Sequence, residues 1–331
     1  MLKVAYLLHE CLIEFMHIAI LVFEQEKKTL LPGTKMFMKK ARAMKHRVTI
    51  LHEHDLYIMY DGQRESLFCS GKPLPKYDAI VVRPSFSSDP SIPASLIRQF
   101  ELKGYLVINT HSAVHRAKNK IRTLQLLHHY QIPMPKTVVL FGEEQLDVVM
   151  SEFRYPVILK SAYGSGGSGI FIAESKRSLK PVVEHLLKRS KSEPIKIQEY
   201  IAEAKGKDLR LFVVGKQVVA TMQRSAKKGE FRSNFHQGGS VKGIEPTPEE
   251  VKMALDASFG LGLDISGVDI LRTKKGPVII EVNSQPGLEG ITKATGIDVA
   301  QKIVEYVEYR VDLQKKGIPF FLKSIDSSQE A

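Results

Sequence analysis

The sequence predicts a mixed α/β and α+β protein, an N-terminal α/β domain followed by two smaller α+β units. Three observations carry this expectation. Short apolar runs alternate with helical stretches as far as residue 115, a glycine-rich loop then separates two apolar strands, and the remainder is rich in strands. With 331 residues, 43% of them hydrophobic, the chain can bury a core in each unit.

Met1–Leu8 is a short apolar run that reads as an opening strand. Leu12–Phe23 is interrupted by Glu14 and His17. It falls short of the ~20 residues that a membrane-spanning helix needs, so it reads as a buried or amphipathic helix. Acidic Glu10 and Glu14 stand where a secretion signal needs a positive start and an unbroken apolar core, which predicts a cytoplasmic protein. The basic helical stretch Lys35–His46 leads to a strand at Arg47–Leu51, a β-α-β beginning. Tyr77–Arg83 is a buried-strand pattern, Ile92–Leu102 a helix and Tyr105–Asn109 a further strand, completing a domain over residues 1–115.

Ala117–Tyr130 has helical periodicity through Ile121, Leu124 and Leu127 and stops before Pro133 and Pro135. Strands at Pro156–Ser161 and Ile170–Ala173 and a helix at Leu179–Lys188 make a central unit, residues 116–195. Strands then follow at Ile195–Tyr200, Asp208–Val214, Gln217–Gln223, Val268–Arg272 and Val278–Asn283, with helices at Pro248–Leu261 and Ile297–Lys315. These form a third unit, residues 196–315, before a polar tail, residues 316–331.

Cys11 and Cys69 belong to no metal-spaced cluster and read as reduced thiols. A net charge of +12 implies a field that attracts polyanions, whether nucleotides, acidic peptides or RNA.

Four patterns could carry chemistry. Between strands, Gly164-Ser165-Gly166-Gly167-Ser168-Gly169 lets backbone N–H groups approach a phosphate, although a flexible hairpin would read the same way. It lacks the Gly-Lys-Ser/Thr ending of a Walker loop. Lys160, at the end of the preceding strand, is a point charge placed for phosphate oxygens, or a surface lysine. In the pair Gly267-Val268-Asp269-Ile270-Leu271 and Gly276–Asn283, period-two alternation puts Glu281 and Asn283 on one face, with Asp269 able to lie opposite. Two carboxylates and an amide oxygen suit a hard cation such as Mg²⁺, against the alternative of a structural ion pair. The segment Arg224–Gly239 carries Arg224, Lys227, Lys228, Arg232, Ser233 and Asn234, a set fit for carboxylates and a transferring phosphoryl group, for RNA, or for solvent alone. Finally, Gln198-Glu199-Tyr200-Ile201 ends a strand whose backbone could read an adenine rim.

Taken in order, these pieces resemble the RimK-type ATP-grasp ligases, the alpha-L-glutamate ligase family. The resemblance rests on Lys118-Asn119-Lys120, Lys160 with its loop, Gln198-Glu199-Tyr200-Ile201, Asp208-Leu209-Arg210, Phe231-Arg232-Ser233-Asn234, Gly267–Leu271, and Glu281-Val282-Asn283 with Pro286-Gly287; it covers residues 34–310. It implies an N-terminal pre-ATP-grasp domain followed by a two-part ATP-grasp fold. By the same resemblance, Lys120, Lys160, Gly166 and Gly167 contact ATP, Glu199 and Tyr200 lie at the adenine pocket, and Asp208 lies near the ribose. Arg232, Ser233 and Asn234 approach the phosphates, with Arg232 catalytic, while Asp269, Glu281 and Asn283 hold two Mg²⁺ or Mn²⁺ ions per subunit. Arg83, Arg224 and Lys227 are candidates for substrate carboxylates.

The implied reaction is an amide-forming ligation, ATP going to ADP and phosphate through an acyl phosphate. Glutamate would be joined to the C-terminus of a protein, such as a ribosomal protein, or to another acidic acceptor. A small-molecule amino-acid ligase is the alternative within the class, and a basic ribosome- or RNA-binding protein the alternative outside it. The family implies a homo-oligomer with no membrane partner. Two departures stand out: Glu10–Leu31 looks like an insertion, and the glycine loop is richer in Gly and Ser than the family form.

Overall fold

The computed structural model describes residues 15–23, 29–86, 89–161, 163, 170–189, 193–227 and 239–320. The expected strand Met1–Leu8, the loop Gly164–Gly169, Arg232, Ser233 and Asn234 lie outside them.

The first described element corrects the helix expected over Leu12–Phe23. His17–Val22 is a strand, β1, followed by α1 (Pro32–Ala43) and β2 (Arg47–His52). β1 runs parallel between β2 and a later strand, β6 (Ala79–Arg83). A parallel strand with both faces covered is apolar throughout, so its run of Ile, Ala, Leu and Val carries no period-two signature to distinguish it from a buried helix. Between β2 and β6 lies a small antiparallel sheet that the sequence did not disclose, formed by β3 (Leu56–Asp61), β4 (Arg64–Cys69) and β5 (Lys72–Pro73). The helix α2 (Ser91–Leu102) and the short strand β7 (Val107–Ile108) complete the main parallel sheet in the order β2-β1-β6-β7.

The single helix expected over Ala117–Tyr130 is two helices, α3 (His111–Lys118) and α4 (Lys120–His129). Asn119 makes the break, its side-chain oxygen accepting from the backbone N–H groups of Ile121 at 3.0 Å and Arg122 at 3.2 Å. That is a side-chain N-cap.

The central unit contains β8 (Thr137–Leu140), α5 (Leu146–Ser151), β9 (Val157–Ser161), β10 (Ile170–Ala173), α6 (Lys176–Arg189) and β11 (Ile195–Glu199). Its antiparallel sheet has the order β10-β9-β11-β8. β11 therefore groups with the elements before it, and a boundary at residue 195 would cut this sheet. Leu159, Val157, Ile195 and Ile197 enter a core with Leu179 and Val183 of α6. The alternate residues Ile158, Lys160, Lys196 and Gln198 line the cleft on the other face.

The last unit contains β12 (Lys207–Val214), β13 (Gln217–Ser225), β14 (Ser240–Gly243), α7 (Pro248–Gly260), β15 (Ile265–Thr273), β16 (Gly276–Asn283), α8 (Glu289–Thr295) and α9 (Val299–Lys315). The sheet order is β14-β13-β12-β15-β16, all antiparallel. On one face α7 buries Met253, Ala254 and Ala257 against Leu211 and Val268. On the other, Phe212 and Met222 share a core with Ile303 and Val307 of α9 and with Ile18 and Phe37 of the first domain. Asn109 joins the same two units: its side chain donates to the carbonyls of Ile265 at 2.8 Å and Ser284 at 3.1 Å, and accepts from the N–H of Ile265. Among the described residues no helix is long and apolar enough to cross a membrane.

Candidate active site

A cleft of about 530 Å³ opens where the three units meet. Its walls come from the N-terminal end of α1, the α3–α4 junction, the open face of β9 and β11, and the β12–β13–β15–β16 sheet. The break at Asn119 places Lys118 at the end of one helix and Lys120 at the start of the next, and both line the cleft.

Lys160 and Lys196 are direct cross-strand partners on β9 and β11. Lys160 donates to the side chain of Gln198 at 3.1 Å, and Gln198 donates in turn to Thr137 at 2.9 Å. Burial pushes the pKa of each cleft lysine down, because the charged form loses hydration. For Lys118 the value falls to about 8, burial being only partly offset by Glu281. Lys120 and Lys160 are lowered by burial against the pull of Glu281. Lys196 lies well below the ordinary value, through burial and then repulsion from Lys160 and Lys120.

This has a measurable consequence for stability. A lysine with a folded pKa near 8 and an ordinary value of 10.5 is protonated in the unfolded chain but not in the folded one between those limits. The unfolded state then binds more protons, so stability rises with pH over that window. The melting temperature of the nucleotide-free protein is expected to climb from pH 8 to pH 10, and Lys118→Met should flatten that climb. A profile that falls throughout would remove the assignment of a depressed lysine.

Glu281 and Asn283 alternate along β16, and Asp269 on β15 is the direct cross-strand partner of Glu281. All three line the cleft. Asp269 is 1% exposed and tightly held. Arg210 donates to both its oxygens at 2.7 Å, and Arg224 donates to one of them at 2.8 Å. Arg224 also makes a two-point pair with Asp208 at 2.7 Å for each bond. Burial opposes the charge on Arg224, but Asp269 and Asp208 outweigh it and hold its pKa above the usual arginine value. Burial likewise raises Asp269, and Arg210 and Arg224 more than reverse it.

Two of the expected site residues line the cleft and also bond each other. Arg224, a candidate for a substrate carboxylate, has its guanidinium engaged by Asp208 and Asp269. Asp208, expected near a ribose, accepts from Arg224 with both its oxygens. The reason in each case is register: β12 pairs Asp208 with Arg224 on one side and Arg210 with Asp269 on the other, so four charges meet on one face.

Among the described residues no group of three or more His, Cys, Asp or Glu is placed to hold a metal ion. The trio with Asn283 as its third member is a different donor set. Asp269 retains lone-pair capacity beyond its three bonds, since a carboxylate accepts about four. Glu281 faces the cleft lysines, and the buried side-chain nitrogen of Asn283 has no hydrogen-bond partner among the described residues. These hard oxygens fit Mg²⁺.

Glu199 and Tyr200 lie at the rim, Glu199 exposed and Tyr200 half-buried, both lining the cleft. Arg83, at the end of β6, is 6% exposed and faces the start of α1. A Cβ on Gly33 would sit 2.9 Å from its guanidinium. Lys227 is exposed and does not line the cleft. Sequence reading assigned no role to Lys196 or Arg210. The signal for Lys196 was its place between Ile195 and Ile197, an alternation that sends the lysine to the face opposite the core.

The chain matches two family models, the RimK PreATP-grasp domain over residues 16–114 and the RimK-like ATP-grasp domain over residues 117–307. The first match begins at Met16, so β1 and α1 are part of the family domain, and the segment from Met16 to Leu31 is no insertion. A probable alpha-L-glutamate ligase of Thioalkalivibrio sulfidiphilus is 38% identical over 308 residues, covering 91% of this chain and all of the relative. A probable alpha-L-glutamate ligase of Shewanella frigidimarina is 39% identical over 297 residues, covering 89% and 96%. Among solved structures, a RimK domain ATP-grasp protein from Sphaerobacter thermophilus aligns with a TM-score of 0.66 at 22% identity, over 88% of this chain and 98% of the other. The ATP-grasp ligase PsnB, solved with a precursor variant, Mg and ADP, aligns at 0.69 and 17% over 89% and 98%. D-alanyl-alanine synthetase A from Vibrio cholerae aligns at 0.65 and 14% over 90% and 99%. At these identities the structural likeness speaks for the fold. With both domain models and full-length relatives near 38% identity in agreement, the chain belongs to the RimK family of ATP-grasp enzymes and is an ATP-dependent ligase.

Proposed function

We propose that the chain joins L-glutamate to the carboxylate of an acidic peptide or protein tail. The observation that carries this reading is the cleft itself: Arg83, Lys118, Lys120, Lys160 and Lys196 converge on one cavity together with the oxygens of Glu281 and Asn283. Such a cavity suits a triphosphate and carboxylates together. The curated relatives named as glutamate ligases support glutamate as the amine, and the net charge of +12 favours an acidic acceptor over a neutral one.

In this reading an acceptor carboxylate oxygen attacks the γ-phosphorus of ATP and the bond to ADP breaks, leaving an acyl phosphate. The amine of glutamate then attacks the acyl carbon, phosphate departs, and the ammonium proton is released. Lys120 and Lys160 hold the nucleotide phosphates as point charges and reduce repulsion against the incoming carboxylate. Arg232, with Ser233 and Asn234, is proposed to approach the transferring group. Glu199 and Tyr200 are proposed at the adenine, and Arg83 at a substrate carboxylate, with Gly33 leaving room for its guanidinium. Asp269, Glu281 and Asn283 would hold divalent ions, Mg²⁺ or Mn²⁺ and two per subunit. Bound there, the ions would supply charge neutralisation at the phosphate oxygens. Asp208 is proposed near the ribose and also fixes Arg224 beside Asp269.

The test is incubation with ATP, Mg²⁺ and glutamate, with and without acidic C-terminal peptides, following ADP release and product mass. Glutamyl increments on a peptide are expected. ADP release with glutamyl transfer only to free acids would move the assignment to a small-molecule ligase, and ATP turnover independent of glutamate would overturn the amine.

A further inference from the structure

We propose that Lys196 is an additional nucleotide-binding residue, its ammonium taking a phosphate oxygen of ATP beside Lys160. The residue is 4% exposed, in the middle of a sheet whose other face is an apolar core. Its neighbours Ile195 and Ile197 point into that core, so strand alternation sends Lys196 to the cleft face. The register sets it directly across from Lys160. Lys160 has a neutral acceptor in Gln198, whereas Lys196 makes no hydrogen bond or ion pair with any described residue. The charges it feels are Lys160 and Lys120, both repulsive, and Glu281.

A largely buried cation that no described side chain pairs, set beside two other lysines, lowers stability, since much of its hydration is lost. A leucine would suit this position for folding alone. An anion delivered to the cleft resolves the conflict, and a lysine matches phosphate as a point charge. The alternative anion, a substrate carboxylate, is placed by Arg83 at the α1 end of the cleft, on the first domain rather than on the central sheet. Burial and the two lysines lower the pKa of Lys196 in the empty cleft. Nucleotide binding should therefore draw a proton onto it at alkaline pH.

This inference rests on the cleft being the ATP site, and the experiment separates the two. Binding of a non-hydrolysable ATP analogue and of adenosine would be measured calorimetrically for the wild type, Lys196→Leu and Lys196→Arg, alongside melting temperatures without nucleotide. Lys196→Leu is expected to weaken the analogue by about 10- to 100-fold, leave adenosine within twofold, reduce proton uptake on binding, and raise the nucleotide-free melting temperature. Lys196→Arg should keep most of the affinity. The opposite signs on binding and stability exclude a merely structural lysine. Equal weakening of adenosine would place the ammonium on the base and overturn the phosphate assignment. Analogue affinity within twofold of wild type in Lys196→Leu would overturn the role altogether. Absence of analogue binding by the wild type would overturn the cleft as the ATP site and this inference with it.

Discussion

Glu281→Gln is expected to lower ATP turnover by on the order of 10³-fold while lowering the melting temperature much less than a substitution in the Arg224 network does. Glu281 is half-buried, lines the cleft and faces the lysine cluster. Removing its charge takes away an oxygen proposed for a divalent ion; among the described residues no hydrogen-bond donor loses its acceptor, and the cleft lysines lose only a longer-range attraction. Glutamine keeps the shape and one oxygen. The loss should therefore appear in turnover, and nucleotide affinity in the absence of divalent ions should rise slightly as repulsion against phosphate is relieved. Steady-state ADP release with saturating Mg²⁺, paired with thermal unfolding, checks both halves. Normal turnover in this variant would remove Glu281 from the metal site.

Arg224→Met is expected to give the largest loss of stability of any single change at the site, on the order of 3–5 kcal/mol. Arg224 is 3% exposed and is the hinge of the four-charge network, bonded to Asp208 on one side and Asp269 on the other. Methionine fills much of the space but removes the two-point partner of Asp208 and one of the two cations on Asp269, and weakening the pairing of two buried carboxylates is costly. Denaturant titration of the nucleotide-free protein measures the effect. A loss below about 1 kcal/mol would mean that the network is solvated and weak, as exposed ion pairs are. The same reasoning separates Asp269 from Glu281 as a probe. Asp269→Ala takes from Arg210 its two-point partner and from Arg224 one of its two carboxylates, so lost activity there cannot be read apart from lost stability, whereas Glu281→Gln can.

Several site features were legible because they follow from local rules. Alternation alone put Glu281 and Asn283 on one face, and the structure has them so on β16. The strand end at Lys160 was visible from the apolar run before it. The Asn119 break was not, because Ile121, Leu124 and Leu127 keep helical spacing and only the side-chain cap shows that the turn restarts. The β3–β5 sheet was missed for a related reason. Its first strand is half-exposed, with Tyr57 and Met59 exposed on one face and Tyr60 exposed on the other, so it lacks the clean apolar alternation of a core strand.

By itself, the sequence determined the order and type of most elements, the two-stranded acidic hairpin, and the motif spacing that marks the RimK family, since each depends on residues within a few positions of one another. Tertiary structure decided what required distant segments to meet. β1 is a strand because β2 and β6 cover both its edges, a fact carried by residues 30 and 61 positions away. Arg224 belongs to Asp208 and Asp269 because three strands align in one register across 45 residues. Lys196 has no partner among the described residues because the register that buries it sets Lys160 across from it, while α4 brings Lys120 to the same cleft. Charge pairing is set by through-space distance, and only the folded sheets fix those distances.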